Sequence, residues 1–210
     1  MHKPSLLLSL LSLFVSSVGP SACTMDRDSS PASVPTAEPQ FLARARGTWL
    51  YDFQIDGAGG SVWVRDFVTI DRDRHDVSAD IFADEMRTTK LFHLEWTATL
   101  KVVDRGSLPD TFAVDIRLTT AKLTAFVDDP ALWAAFGVDD CKLVVNQAVD
   151  VMPTNCVYPL TRNTTCSELE LYELREGSSE LRPGTPEADH CGRRPTTVDR
   201  ERAPYLRQPQ

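Results

Sequence analysis

Residues 112–125 read Phe112-Ala113-Val114-Asp115-Ile116-Arg117-Leu118-Thr119-Thr120-Ala121-Lys122-Leu123-Thr124-Ala125, and their phase decides the fold. Phe112, Val114, Ile116 and Leu118 alternate with Asp115 and Arg117, the pattern of a strand with one buried and one wet face. The apolar set then moves to odd positions: Ala121, Leu123, Ala125 and Val127. A one-residue slip turns every side chain over, so the spacing predicts a β-bulge or sharp bend near Thr119–Thr120. A short helix follows. Asp128 or Asp129 is its N-cap, Pro130 lies in its first turn, Leu132, Trp133 and Phe136 are its apolar residues, and Gly137 stops it. Cys141 and Cys156 then bracket a segment with a turn at Met152-Pro153. A bent strand, a plug-like helix and a disulfide together predict a curved sheet closed at one end.

Upstream, Gly47-Thr48-Trp49 opens a strand through Tyr51 and Phe53. The next runs from Val62 to Ile70, with Val62, Val64, Val68 and Ile70 on one face and Trp63, Arg65 and Phe67 on the other. The charge run Asp71-Arg72-Asp73-Arg74-His75 fits a solvated hairpin tip, and Val77, Ala79 and Ile81 alternate after it. Phe92, Leu94, Trp96, Ala98, Leu100 and Val102 alternate with His93, Glu95, Thr97, Thr99 and Lys101. Short strands with polar tips make an antiparallel meander. The expected fold is mainly β: a curved antiparallel sheet forming a barrel or half-barrel, lipocalin-like in shape, with one short helix.

The apolar run from Leu6 to Val18 follows Lys3 and is too short to span a bilayer. With Gly19, Ser21 and Ala22 behind it, it reads as a signal peptide over residues 1–22. Cleavage there leaves Cys23 first. Gly19-Pro20-Ser21-Ala22-Cys23 resembles a bacterial lipobox, with Pro20 where a Leu is expected, so a lipid anchor on Cys23 and a soluble secreted form both stand. Residues 23–46 read as a Ser/Pro-rich flexible tether, 47–197 as the folded domain and 198–210 as an irregular tail. The chain carries 22 basic and 30 acidic residues, and losing Lys3 takes the net charge from −8 to −9. Such acidity argues against nucleic acid as a partner.

Cys141, Cys156, Cys166 and Cys191 form an even set, which export turns into a disulfide framework with three possible pairings. The preferred pairs are Cys141–Cys156 and Cys166–Cys191. Cys166 precedes a strand holding Leu169, Leu171 and Leu174, and Cys191 lies on the return after a loop containing Gly177, Pro183 and Gly184. No Cys-x-x-Cys spacing supports a metal site. Asn163-Thr164-Thr165 is a glycosylation sequon. No nucleophile motif or phosphate-binding glycine loop is present, His93 reads as a surface histidine, and no enzyme activity or cofactor is expected. Trp49, Phe67, Phe92, Trp96 and Phe112 are expected to line one concave surface, either as filled core or as the wall of an apolar ligand cavity. Arg65 is either a polar contact at its mouth or a cross-strand partner for an acidic residue.

In order and spacing, several segments resemble the domain family of "adenomatosis polyposis coli down-regulated 1". They are Gly47-Thr48-Trp49, Val64-Arg65-Asp66-Phe67, Phe82-Ala83-Asp84-Glu85 with Leu91-Phe92, and Phe112 to Leu118 leading to the helix. Cys141, Val149-Asp150-Val151 and Cys156 are similar to the family's Cys…Asp-Val…Cys pattern. Gly192-Arg193-Arg194-Pro195-Thr196 is similar to its Gly-x-Arg-Pro-Thr end. The resemblance implies a curved β fold with a hydrophobic pocket for lipid. Its animal members are membrane-tethered inhibitors that engage the acyl chain of Wnt. This chain has one such domain rather than two, lacks the cysteine after the opening Trp, and has Cys166 and Cys191 as additions. Lipid or acyl-chain binding is the property expected to carry over, and a Wnt-type partner is not. The competing expectation is an envelope interaction or scaffold protein whose barrel is filled and takes no ligand.

Overall fold

The phase slip in the sequence is a β-bulge. Thr97 pairs with Thr120 and Ala98 with Leu118, which leaves Thr119 as the extra residue. Its hydroxyl donates to the Thr97 carbonyl at 2.8 Å. The computed structural model describes residues 37–57, 60–154, 156–157, 166–185 and 191–209. The expected signal peptide, Cys23 and the Asn163 sequon lie outside the described residues.

The elements in chain order are α1 (Ala37–Ala45), β1 (Gly47–Gly57), β2 (Gly60–Asp71), β3 (Arg74–Phe82), β4 (Lys90–Arg105) and β5 (Thr111–Ala125). There follow α2 (Pro130–Phe136), a 3-10 turn (Asp139–Cys141), β6 (Ala148–Asp150), β7 (Glu168–Glu173), β8 (Glu180–Pro183) and β9 (Tyr205–Arg207). Strands β1 to β5 form a meander, β5 continues to β7, β8 and β9, and β9 returns to β1 through Trp49↔Arg207 and Leu50↔Leu206. The result is a closed, eight-stranded antiparallel barrel, with two short helices among the described residues where one was expected. The first half of β5 pairs with β7 and its second half with β6, which lies beside the ring.

Helix α2 follows its sequence signals. The Asp129 carboxylate accepts from the Ala131 and Leu132 amides, each at 3.0 Å, and Gly137 caps the end at φ 68°. Phe136 packs on Phe92 with ring centroids 4.9 Å apart, so the helix covers one end of the barrel. Cys141 and Cys156, both buried and 5.1 Å apart at Cα, join the return of this cover. Opening a loop of 15 positions removes roughly 3 kcal/mol of chain-entropy stabilisation. A Cys141→Ser/Cys156→Ser variant is therefore expected to unfold in urea with about that loss. An unchanged midpoint would show that the cover is held by packing alone. Cys166 and Cys191 lie 5.8 Å apart at Cα, as the hairpin argument predicts.

The opposite end holds two departures from expectation. Residues 37–45, assigned by composition to the tether, form α1. Ala37, Phe41 and Ala45 recur every four positions, so they share one face, and that face is buried. Phe41 meets Phe112 edge-on at 5.5 Å. Residues 205–207, assigned to the irregular tail, form the strand that closes the ring.

The segment 191–200 lies across the outside of β5, β7 and β8. Arg194 donates to the Val114 carbonyl at 2.5 Å, to the Glu170 carbonyl at 2.6 Å, and to Asp115. Pro195 rests on Gly184, where an added Cβ would come within 2.5 Å of the proline ring, so the close approach requires glycine. This strap covers Leu171 from outside, and the covering fixes which face of β7 turns inward.

Candidate functional site

Pairing fixes the inward face of every wall strand. Val64, Asp66 and Val68 on β2 pair with Ile81, Ala79 and Val77 on β3, and these with Phe92, Leu94 and Trp96 on β4. Val102 and Leu100 pair with Val114 and Ile116 on β5, which face Glu170 and Glu168 on β7. The glutamates of β7 therefore point into the barrel, and Leu169 and Leu171 point out.

Packed apolar side chains fill both ends. One cluster lies under α2 and includes Phe92, Phe136, Ile81 and Leu123. The other lies over α1 and includes Trp49, Phe41, Phe112 and Leu174. Phe53 and Trp96 touch both clusters, point inward by register, and are only half-buried. Glu168 is enclosed by protein and still keeps accessible surface. The waist between the clusters is thus bounded by Phe53 and Trp96, each of which keeps part of its surface accessible.

Its polar lining is dense. Tyr205 donates to Asp66 at 3.1 Å, and Arg202 donates to the Tyr205 hydroxyl at 3.2 Å. The Arg202 guanidinium lies 4.2 Å over the Tyr51 ring, and Tyr51 stacks on Phe53 at 4.4 Å and meets Tyr205 at 5.0 Å. Tyr172 and His75 meet at 3.3 Å across the interior. One oxygen of Asp66 and Nδ1 of His75 are buried with no hydrogen-bond partner.

Burial sets the protonation of these groups. Loss of water raises Asp66 to about 6, against the smaller opposing pull of Tyr205 and Arg202. It raises Glu168 to about 7. Burial and the neighbouring Glu168 charge hold Glu170 well above the usual carboxylate range. Burial lowers His75 to about 4, so it is neutral near pH 7. His75 is thus an inward, buried residue of β3 rather than part of a solvated hairpin tip.

Of the five aromatic residues expected on one concave surface, Trp96 alone faces inward and stays only half-buried. Trp49, Phe92 and Phe112 face inward but are sealed within the two end clusters, because the two helical covers supply packing partners that a strand pattern does not show. Phe67 stands on the outer face opposite Leu50, a consequence of the alternation that places Val68 inside. Arg65 is also outside, across from Asp52 at 3.4 Å, which is its cross-strand reading and not a contact at a pocket mouth. His93 lies on the outer face against Asp80 at 2.6 Å. The sequence signal for the polar lining was the Glu168, Glu170, Tyr172 alternation, which the neighbouring leucines masked.

A concavity of about 810 Å³ opens outside the barrel beside α1, among Gln40, Arg44, Arg105, Arg175 and Arg207. Most of its cations are engaged: Arg44 by Asp110, Arg175 by Glu173, and Arg207 by the Arg44 and Arg46 carbonyls. Comparison with protein-family models and with curated proteins finds no match for this chain.

Proposed function

We propose that the barrel is a binding module for an apolar ligand of the acyl-chain type, held at its waist. The observation that carries this reading is the half-buried state of Phe53 and Trp96, two large inward aromatics between two sealed clusters. A packed interior would bury both, as it buries Trp49 and Phe92. Each methylene that enters contributes about 0.8 kcal/mol, so a short chain gains useful affinity with few polar contacts. Two cysteine pairs at disulfide distance suit an oxidising, extracellular compartment, and among the described residues no helix is long and apolar enough to cross a membrane. Export through the N-terminal signal, with anchoring through a lipidated Cys23, belongs to the same proposal.

The test is Trp96→Ala, read by native mass spectrometry with fatty acids, alcohols and amines and by urea unfolding. A cavity wall predicts a loss of binding of at least about tenfold with a stability loss below roughly 2 kcal/mol. A stability loss of about 3–5 kcal/mol in a protein that takes up none of these probes would overturn the proposal. It would leave a filled barrel acting as a scaffold.

A further inference from the structure

Outside the barrel, four segments distant in sequence bring guanidiniums to one concavity. Arg44 comes from α1, Arg105 from the end of β4, Arg175 from the turn between β7 and β8, and Arg207 from β9. Glu176 is the single carboxylate among the lining residues, in a chain of net charge −8. The volume of about 810 Å³ is that of a small-molecule site rather than of a single ion. Gly177 takes a left-handed backbone at φ 71°, and nothing lies within 4 Å of where a Cβ would stand, so the turn borders open space.

The partners of these cations leave most of their charge uncompensated. Arg105 is exposed, and its guanidinium makes no hydrogen bond or ion pair with any described residue; Asp104 accepts from its backbone amide instead, at 2.7 Å. Arg175 reaches Glu173 only at 3.5 Å, and both oxygens of that carboxylate are already held by Arg200 at 2.7 and 2.6 Å. Arg207 donates to the Arg44 and Arg46 carbonyls, which are neutral groups. Of the four, Arg44 alone has a close carboxylate, Asp110 at 2.8 Å. Its other terminal nitrogen stands 3.7 Å from Glu176, whose side chain is 90% exposed. So loose and exposed a pair contributes little and yields readily to a ligand. Charges of one sign gathered in a concavity raise the local concentration of counter-ions.

Guanidinium forks match the oxygens of phosphate and sulfate groups two bonds at a time. Several forks from different segments in one concavity suit a ligand with more than one such group. An extended anionic surface does not suit, because the net charge of the whole chain repels it. A small ion feels mainly the charges within a Debye length, about 8 Å at physiological salt. We propose that this concavity binds a small polyanion carrying two or more phosphate or sulfate groups. Arg105 and Arg175 are its direct contacts, and Arg44 is fixed beside it by Asp110 and the Leu174 carbonyl. The site is separate from the waist of the barrel and stands whether or not the barrel takes a ligand.

Calorimetric titration with sodium tripolyphosphate and with inorganic phosphate tests the proposal. Tripolyphosphate is expected to bind at least about tenfold tighter than phosphate, and to weaken as potassium chloride is raised. Arg105→Gln and Arg175→Gln are each expected to weaken it at least about fivefold. Both side chains are exposed, so these variants are expected to keep the wild-type urea midpoint. Glu176→Gln removes the competing carboxylate and is expected to tighten binding about threefold. No uptake of tripolyphosphate at low salt, or an affinity unchanged in the Arg105→Gln/Arg175→Gln double variant, would overturn the proposal. So would capture by phosphatidylcholine vesicles containing phosphatidic acid without any response to tripolyphosphate. Each of these failures leaves the acyl-chain reading of the waist untouched.

Discussion

Replacing Trp49 by alanine is expected to cost about 3–5 kcal/mol, close to the whole stability of an ordinary domain. The residue is fully buried, and its indole N–H donates to the Ala45 carbonyl at 2.7 Å, which ties α1 to β1. The Arg207 guanidinium stacks on the same ring at 4.2 Å, which ties β9 to β1. One side chain thus supports both the cover at this end and the seam of the barrel. Truncation leaves a cavity bounded by Phe41 and Phe112, and both attachments loosen together. Urea unfolding measures the loss. A cost below about 1.5 kcal/mol would show that the α1 end is not packed as described. The contrast with Trp96→Ala is the sharper result, since two inward tryptophans of equal size then differ by their surroundings alone.

Glu170→Gln is expected to act in the opposite direction and to stabilise the protein near pH 7. An unfolded glutamate has a pKa near 4.5, and burial holds folded Glu170 well above that, so folding at neutral pH favours putting a proton back on it. Glutamine fills the same volume without that cost. The whole protein is expected to follow the same sign. Between about pH 4.5 and 7 the unfolded chain has lost protons that folded Asp66, Glu168 and Glu170 retain, so stability falls as pH rises through that window. His75 opposes this: unfolded it binds a proton below about 6.5, and folded it does so only below about 4, so its contribution is lost as pH falls. Three groups outweigh one. Thermal midpoints are expected to be higher near pH 5 than near pH 7.5. The gain from Glu170→Gln should shrink toward zero at the acid end. Midpoints that rise with pH, or a neutral Glu170→Gln at pH 7.5, would contradict the inward placement of β7's glutamates.

The bulge, the capped helix, the meander and both cysteine pairs were legible because each is written in local order: a phase change, an Asp-Pro…Gly frame, an alternation, a hairpin return. Residues that share a face of β7 were legible too. Which face is interior was not. Leu169 and Leu171 alternate with Glu168, Glu170 and Tyr172, and hydrophobicity alone turns the leucines inward. The strap around Arg194 and Pro195 reverses that by giving Leu171 an outer cover, a contact made some two dozen residues away in sequence. Alternation assigns side chains to two faces, and only tertiary contacts say which one is the core. The same limit hid α1, whose buried face is three residues in an Ala- and Pro-rich stretch. It also hid β9, three residues long and stable only against β8 and β1.

The ladder between β1 and β9 also sets an order of events during synthesis. The Arg207 side chain reaches the Arg46 carbonyl across 161 positions of chain, so the first strand made waits for the last before its free edge is covered. Until residues 205–207 have emerged, β1 presents unpaired amides and carbonyls to whatever is nearby, and such edges recruit other chains. Folding is consequently late and of high contact order, finishing after translation of this region rather than alongside it. An N-terminal fragment ending before Tyr205 would carry an open edge and a tendency to aggregate.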